Sequence, residues 1–170
     1  MVEIVRDFKP FFGFKQTGIP DIGALHYLQK LGVIDIGSNS VRMVVFDGAA
    51  RSPSYFYNEK ILCGLGLGLV NSGKLNPEGK LRAISAIERF VNIAEAMEVP
   101  QLTLIATAAV RSASDGLIFC DEIRKKTKKE VNIIDGLEEA RLSAQGVMLG
   151  WPGSYAVSYT HLRAHETEAY

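Results

Sequence analysis

The residues best suited to chemistry form one short segment, Asp-Ile-Gly-Ser-Asn-Ser-Val-Arg at positions 35–42. A tight turn of small residues leaves its backbone N–H groups facing outward, and such a concave set of amides binds phosphate oxygens. The amides and hydrogen-bonding side chains of this turn belong to Gly37, Ser38, Asn39 and Ser40. Asp35, at the end of an apolar run, is placed to hold Mg²⁺ beside that phosphate, directly or through water. A plain hairpin turn uses the same residue types, so the turn alone leaves both interpretations open.

Five short runs rich in β-forming residues predict the strands that position this turn. They cover residues 32–36, 41–46, 55–65, 102–106 and 131–134. Three helices are predicted as well, the first from Pro77, with Asn76 as its N-cap, to a stop at Pro100. The other two cover residues 116–129 and 137–149. The order βββαβαβα predicts an α/β fold in which the first three strands form a meander and helices cross the faces of a mixed five-stranded sheet.

The first two helices are predicted to turn apolar side chains toward that sheet. The first would bury Leu81, Ile84, Ile87, Val91, Ile93, Ala94 and Met97. The second would bury Leu117, Phe119, Cys120 and Ile123. The basic residues at 124–129 match the negative end of the helix dipole, which favours a solvated helix end over a track for a polyanion. A turn is also predicted at 47–48 and a short helix over 21–30.

The 35–42 turn resembles the first phosphate motif of the superfold shared by actin, sugar kinases and heat-shock ATPases. Its Gly-Ser-Asn-Ser core is more similar to the exopolyphosphatase and guanosine-pentaphosphate phosphatase (Ppx/GppA) family. Three further segments match that family in the same order: Asn-Glu-Lys at 58–60 with the glycines of 64–69, Ala-Thr-Ala-Ala-Val-Arg at 106–111, and Gly-Leu-Glu-Glu-Ala-Arg at 136–141. The resemblance covers residues 32–156 and implies the first lobe of a ribonuclease-H-like, actin-type α/β domain.

The resemblance also implies roles for individual residues. Glu139 corresponds to the family's catalytic base, which takes a proton from the water that attacks the terminal phosphorus, and a glutamate is ionised at neutral pH. A negative charge in the first turn of a helix is favourable anyway, which explains Glu138 better and is the alternative for Glu139. Arg111 and Arg42 would neutralise phosphate oxygens, although either can instead pair with an acidic neighbour. Thr107 would help to orient phosphate.

The activity implied is Mg²⁺-dependent hydrolysis of a terminal phosphoanhydride, which depends mostly on positioning and electrostatics. Inorganic polyphosphate and pppGpp both offer such a bond, and the sequence does not choose between them. A sugar kinase or actin-like ATPase is the first alternative, although such kinases usually carry threonines where this chain has Ser-Asn-Ser and lack the Glu-Glu-Ala-Arg helix start. The second is a regulator that holds pppGpp without cleaving it, and the presence of Glu139 argues against it.

Two departures from the family pattern bear on the site. The family often has an arginine at the position of Gly64, so one phosphate contact is expected to be missing. The resemblance also stops at Ala156, just before the family's second phosphate motif, so we expect this chain alone to be inactive. The family is often dimeric through parts beyond this point, and whether the complete protein is a homodimer stays open.

The two ends of the chain are expected to lie outside the phosphatase lobe of residues 32–156. Residues 157–167 are similar to a translated sequencing adapter, so 157–170 are predicted to be an artefactual tail. Its His161 and His165 are therefore not expected to form a metal site. Residues 1–31 are treated as an N-terminal extension, and the sequence does not decide whether it is native.

Composition argues against several classes of partner. The 19 basic and 19 acidic residues of the 170-residue chain cancel, so no overall field draws it to nucleic acid or to an anionic membrane. No apolar run is long enough to span a bilayer and no signal peptide is visible, which predicts a cytoplasmic protein. Cys63 and Cys120 stand in apolar surroundings without ligand spacing, which favours two buried free thiols.

Overall fold

The computed structural model describes residues 30–46 and 55–150, and within them five strands form one mixed sheet. The strands are β1 (Leu31–Ile36), β2 (Ser40–Phe46), β3 (Tyr55–Leu62), β4 (Gln101–Ala106) and β5 (Val131–Ile133). Their order across the sheet is β3-β2-β1-β4-β5. The first three pair antiparallel as a meander, whereas β1, β4 and β5 run parallel. The predicted meander and mixed sheet are confirmed.

The helices of the described region are two short ones and three long ones. They are α1 (Leu69–Ser72), α2 (Pro77–Ala96), α3 (Ala108–Ser112), α4 (Gly116–Thr127) and α5 (Gly136–Gly150). The long helices start within a residue of the predicted positions. The sequence did not predict α1 and α3, because one helical turn carries too few residues to show a period. Among these helices, none combines the length and apolar character that a membrane span needs.

Several predictions fall on positions that the structure does not describe. These are the helix over 21–30, the turn at 47–48 and the tail at 157–170. The third strand can be compared, and it ends at Leu62 rather than at residue 65. Residues 63–68 instead form the turn that precedes α1.

One face of the sheet carries the hydrophobic core. Helix α2 contacts β1, β2 and α4, while α4 also contacts α3 and β5. Ile34 and Ile36 of β1 are fully buried in this core together with Phe90 of α2 and Phe119 of α4. Because successive side chains of a strand point to opposite faces, burying these two isoleucines directs Asp35 to the other face, where it is exposed.

Two predicted core residues are wrong, and helix geometry explains both. Leu81 of α2 is 73% exposed and Leu117 of α4 is 74% exposed. A helix turns by about 100° per residue, so Leu81 lies about 160° around the axis from the buried Ala83, and Leu117 about 160° from the buried Phe119. Leu117 was grouped with Phe119 at a spacing of two, which places the two side chains on nearly opposite sides. Leu81 lies three residues before the buried Ile84, on the side of Ile84 that points away from the centre of the buried stripe.

The two cysteines are both free, as predicted, but only one of them is fully buried. Cys63 is buried in the core, whereas Cys120 is half-buried on α4. Burial raises the pKa of the Cys120 thiol to about 11, with a smaller contribution from Asp121. Since the thiolate is the nucleophile and metal ligand, this thiol is chemically inert at neutral pH.

The start of α4 depends on a glycine. A Cβ added to Gly116 would lie 2.0 Å from the carbonyl oxygen of Val110, a backbone atom that cannot move aside. We expect Gly116→Ala to lower the free energy of unfolding by about 1 to 3 kcal/mol through overpacking. In the control, Gly146→Ala, the added Cβ meets no atom within 4 Å, and alanine should stabilise α5 by about 0.5 to 1 kcal/mol. Urea unfolding midpoints that move equally in the two variants would contradict this account of α4.

Candidate functional site

The turn between β1 and β2 is held in place by a neighbouring turn, residues 63–66. The N–H of Gly37 donates to the carbonyl of Ser40 at 2.9 Å and closes the β1–β2 hairpin. The N–H of Gly66 donates to the carbonyl of Ser38 at 2.8 Å. The N–H groups of both Cys63 and Gly64 donate to the carbonyl of Asn39 at 2.9 Å. The carbonyl groups of Ser38 and Asn39 therefore both accept hydrogen bonds from the 63–66 turn.

These anchored carbonyls set the direction of the amides. A planar trans peptide points its C=O and its N–H in opposite directions. With the Ser38 and Asn39 carbonyls bound to the 63–66 turn, the N–H groups of Asn39 and Ser40 point away from it. Within the described residues, the N–H groups of Ser38 and Asn39 have no acceptor. The turn thus presents free backbone donors, which is what an anion requires.

The end of β4 lies beside this turn. The N–H of Thr107 donates to the carbonyl of Ile36 at 3.2 Å, which continues the β1–β4 pairing. A Cβ at Gly66 would lie 3.3 Å from the Cβ of Ser38 and 3.7 Å from that of Ala109. The glycine therefore permits three segments, 37–40, 63–66 and 107–111, to approach closely at one end of the sheet.

Asp35 and Arg42 face each other across the antiparallel pair of β1 and β2. The Nε of Arg42 donates to Oδ1 of Asn58 at 2.9 Å, so this hydrogen bond goes to an amide and not to the acidic neighbour that was the alternative to a phosphate contact. Although part of the Asp35 side chain is open to solvent, the surrounding protein buries the carboxyl group enough to raise its pKa. The negative charge of Glu139 raises this pKa further, and the positive charge of Arg42 opposes both effects. Asp35 and Glu139 are far apart in sequence, yet the charge of Glu139 influences the Asp35 carboxyl group.

Arg111 connects the end of β4 to the start of α5. Its Nη1 donates to the carbonyl of Ile134 at 2.8 Å and to Oε2 of Glu139 at 3.0 Å. The Arg111 and Glu139 side chains are 30% and 29% exposed, so the ion pair is half-buried yet open to solvent. Its guanidinium also lies 3.9 Å from where a Cβ of Gly136 would be. The pair fixes Glu139 over the carboxyl ends of the parallel strands.

The two adjacent glutamates of α5 have different partners. Glu138 pairs with Arg141 one turn along the helix, with Nε and Oε2 2.7 Å apart. That hydrogen bond, followed by the positive charge of Arg141, holds the pKa of the Glu138 carboxyl below its usual value. Glu139 instead turns toward Arg111. The side chains of Glu138 and Glu139 are 25% and 29% exposed, so their partners, and not their burial, distinguish the two glutamates.

Asp135 is a site-supporting residue that the sequence analysis missed. Its Oδ1 accepts the N–H of Glu138 at 2.7 Å, and its carbonyl accepts the N–H of Glu139 at 3.0 Å. It is therefore the N-cap of α5 and fixes the first turn that carries Glu139. An aspartate three residues before a glutamate, just after a short apolar run, was the available signal.

The site as a whole can bind an anion and hold a carboxylate close to it. The N–H groups of Ser38 and Asn39, the guanidinium of Arg111 and the carboxylates of Asp35 and Glu139 belong to segments at or just after the carboxyl ends of the parallel strands β1, β4 and β5. In the described residues, no three acidic, histidine or cysteine side chains gather into a metal cage. Such a site suits a phosphate with a divalent cation held by one or two carboxylates and by the phosphate itself.

The sheet order and helix placement define a domain of the ribonuclease-H-like, actin-type α/β class. Residues 32–156 match the Ppx/GppA phosphatase family, and the chain belongs to that family.

Individual relatives agree with this assignment. The chain is 33% identical to exopolyphosphatase 1 of Mycobacterium tuberculosis over 125 residues, which cover 72% of this chain and 36% of that protein. The corresponding protein of Mycobacterium leprae is 30% identical, with 72% and 37% covered. The chain therefore spans little more than a third of the length of these relatives.

Solved structures show the same lobe. The exopolyphosphatase of Cytophaga hutchinsonii superposes with a TM-score of 0.63 at 34% identity, covering 67% of this chain and 36% of that one. The Ppx/GppA family member of Aquifex aeolicus gives a TM-score of 0.65 at 22% identity, covering 71% and 40%, and is a likeness of fold. The predicted first lobe of an actin-type α/β domain is confirmed.

Proposed function

We propose that the complete protein hydrolyses the terminal phosphoanhydride bond of inorganic polyphosphate, of pppGpp or of both, with water activated by Glu139. The observation that carries the proposal is the ion pair of Glu139 with Arg111 at 3.0 Å, which lies at the same end of the sheet as the turn of residues 37–40 (the phosphate turn). Relatives named exopolyphosphatase support the substrate class.

The turn at 37–40 would bind the terminal phosphate through its free amides and through the side chains of Ser38, Asn39 and Ser40. Backbone donors aimed in advance at phosphate oxygens stabilise negative charge without reorganising during the reaction. Thr107, which lies next to the end of β1, would orient the phosphate from the other side. These contacts select a phosphate, and they leave the rest of the substrate unspecified.

Arg111 would stabilise charge on the phosphate while it positions the base. Its guanidinium has five N–H donors, of which Nη1 is committed to Ile134 and Glu139. The remaining donors are available to phosphate oxygens. Arg42 would add positive charge from β2, next to Asp35. Glu139 would take the proton of the attacking water as its oxygen approaches the phosphorus, and the terminal phosphate would leave the chain.

Mg²⁺ would be held by Asp35, directly or through water, with phosphate oxygens completing its coordination. The fit rests on the two neighbouring carboxylates, because the negative charge of Glu139 raises the pKa of Asp35 and a cation would relieve that repulsion. When bound, the ion supplies neutralisation of phosphate charge. A cytoplasmic location is part of this proposal, which holds equally for a monomeric and for a homodimeric complete protein.

The assay that tests this proposal measures phosphate release by the complete protein from polyphosphate and, separately, from pppGpp. We expect release from at least one of them with Mg²⁺ present. Removing the ion with EDTA should lower the rate by about 10²-fold or more, since metal charge stabilisation is worth several kcal/mol. Adding excess Mg²⁺ should restore it. A rate unaffected by EDTA, or release from neither substrate, would contradict the proposal.

A further inference from the structure

Arg82 of α2 makes a contact that the proposed chemistry does not use. Its Nε and Nη2 both donate to the backbone carbonyl of Cys63, at 3.1 and 2.8 Å. Its other partner is Glu78, one turn earlier on the helix, at 3.5 Å, where both side chains are well exposed. A surface ion pair of that kind contributes little. The two bonds to one carbonyl are the stronger and more specific contact.

Cys63 begins the 63–66 turn that anchors the phosphate turn. Its N–H donates to the carbonyl of Asn39, and the N–H of Gly64 donates to the same oxygen. The N–H of Gly66, two residues on, donates to the carbonyl of Ser38. A displacement of residues 63–66 would therefore move the anchored carbonyls, and with them the amides that face away from the anchor.

Two residues at the start of α2 also contact the 63–66 turn. The Nδ2 of Asn76 donates to the carbonyl of Gly64 at 3.1 Å. A Cβ at Gly79 would lie 2.7 Å from that carbonyl oxygen, so the helix backbone approaches the turn as closely as a glycine allows. Gly64 itself has a φ of +66°, a left-handed conformation that favours glycine. The 63–66 turn is thus packed between α2 and the 37–40 turn.

We propose that Arg82 is a positioning residue for phosphate binding. By holding the Cys63 carbonyl with two hydrogen bonds, it fixes the 63–66 turn, which in turn aims the amides of the 37–40 turn. The proposal rests on the proposed function, because it assigns the 37–40 turn to substrate phosphate. Position 64, where the family often has an arginine, is a glycine in this chain. In the proposal, Arg82 is an arginine that supports the 63–66 turn from α2 instead.

The test compares three variants of the complete protein. Arg82→Met keeps a long apolar stem and removes all donors. Arg82→Lys keeps the charge and one donor direction, and Glu78→Gln removes the surface ion pair while leaving the contact with Cys63. Each is assayed for KM and kcat with polyphosphate, and for the affinity of inorganic phosphate by calorimetry.

We expect Arg82→Met to raise KM and the Kd of inorganic phosphate by about 10- to 100-fold, with kcat changed far less. Loss of preorganised phosphate contacts acts on the bound ground state and transition state alike, and small misplacements of a binding group have effects of this size. Arg82→Lys should restore part of the affinity, and Glu78→Gln should leave both constants unchanged. The pH profile of kcat should not move, because Glu139 is not in this chain of contacts.

Three results would overturn the inference. In the first, Arg82→Met leaves the phosphate affinity unchanged. In the second, kcat falls while KM stays constant. In the third, Glu78→Gln has the same effect as Arg82→Met, which would assign the effect to α2 stability. If Arg82→Met does not fold, the inference is tested by whether Arg82→Lys binds inorganic phosphate more weakly than Glu78→Gln does. A parent protein that binds phosphate without hydrolysing polyphosphate or pppGpp would contradict the proposed function alone.

Discussion

Replacing Glu139 with glutamine in the complete protein should lower turnover at saturating substrate by about 10²- to 10⁴-fold, the range that general-base catalysis supplies. Glutamine keeps the shape and still offers an oxygen to Arg111, so the ion-pair geometry at 3.0 Å becomes a hydrogen bond and the fold persists. It cannot accept a proton from water. Binding of polyphosphate should survive or tighten, because a negative charge beside a polyanion is removed.

Glu138→Gln is the matched control for that experiment. The two side chains are adjacent in sequence, carry the same charge and are exposed to similar extents, yet Glu138 pairs with Arg141 of its own helix and Glu139 with Arg111. We expect kcat and KM of Glu138→Gln to stay close to those of the parent. Similar, mild losses in both variants would mean that the pair only begins a helix, and the base would have to be sought elsewhere.

Replacing Asp35 with asparagine should lower the Mg²⁺-dependent rate by about 10²- to 10³-fold, because several kcal/mol of metal charge stabilisation depend on its carboxylate. The amide is close in size and stays on the exposed face of β1. A rate titration with Mg²⁺ should show a weaker apparent affinity for the ion as well as a lower plateau. Parent-like titration curves would exclude Asp35 as the metal-holding residue.

The same substitution should stabilise the metal-free protein at neutral pH. Burial and Glu139 raise the pKa of Asp35 above its ordinary value of 3.8. Ionisation therefore costs more in the folded state than in the unfolded state, and the penalty grows as pH rises from that ordinary value through the folded one. Asparagine avoids it. Denaturant midpoints in EDTA should be higher for Asp35→Asn at pH 7, and the gap should narrow as pH falls toward 4.

The sheet could be predicted because its strands are local and strongly patterned. In residues 31–36 and 40–46, apolar side chains either alternate with polar ones or follow one another, and turn residues bound both segments. The two segments are adjacent in sequence, so their pairing as a hairpin can be predicted locally. The exposure of Leu81 and Leu117 was also within reach, since a constant turn angle excludes them from the buried face. The short helices α1 and α3 carry no such period and emerge from tertiary contacts.

The sequence predicts which residues belong to the candidate site, but it does not predict which of them contact one another. Which of Glu138 and Glu139 pairs with Arg111 depends on where α5 begins after β5, and Asp135 fixes that start by capping the helix. Likewise, Asn76 stands at the predicted N-cap position, but its side chain is bound to Gly64 instead of the helix. Such choices are made between segments far apart in sequence, where local propensity gives no preference.

The parallel pairing of β1 with β4 has a consequence for how the chain is made. Leu31 pairs with Gln101 and Ile36 with Ala106, so the strand that pairs with one edge of β1 is synthesised 70 residues later. The other edge of β1 pairs with β2, which follows directly in the sequence. At synthesis rates of about 5 to 20 residues per second, the wait is roughly 4 to 14 s. During that time the nascent meander exposes an unpaired edge of Val33, Ile34 and Ile36, and an open edge of this kind recruits other strands. Ribosome-bound chains halted before residue 101 should therefore aggregate or engage chaperones more readily than chains released after β4 has emerged.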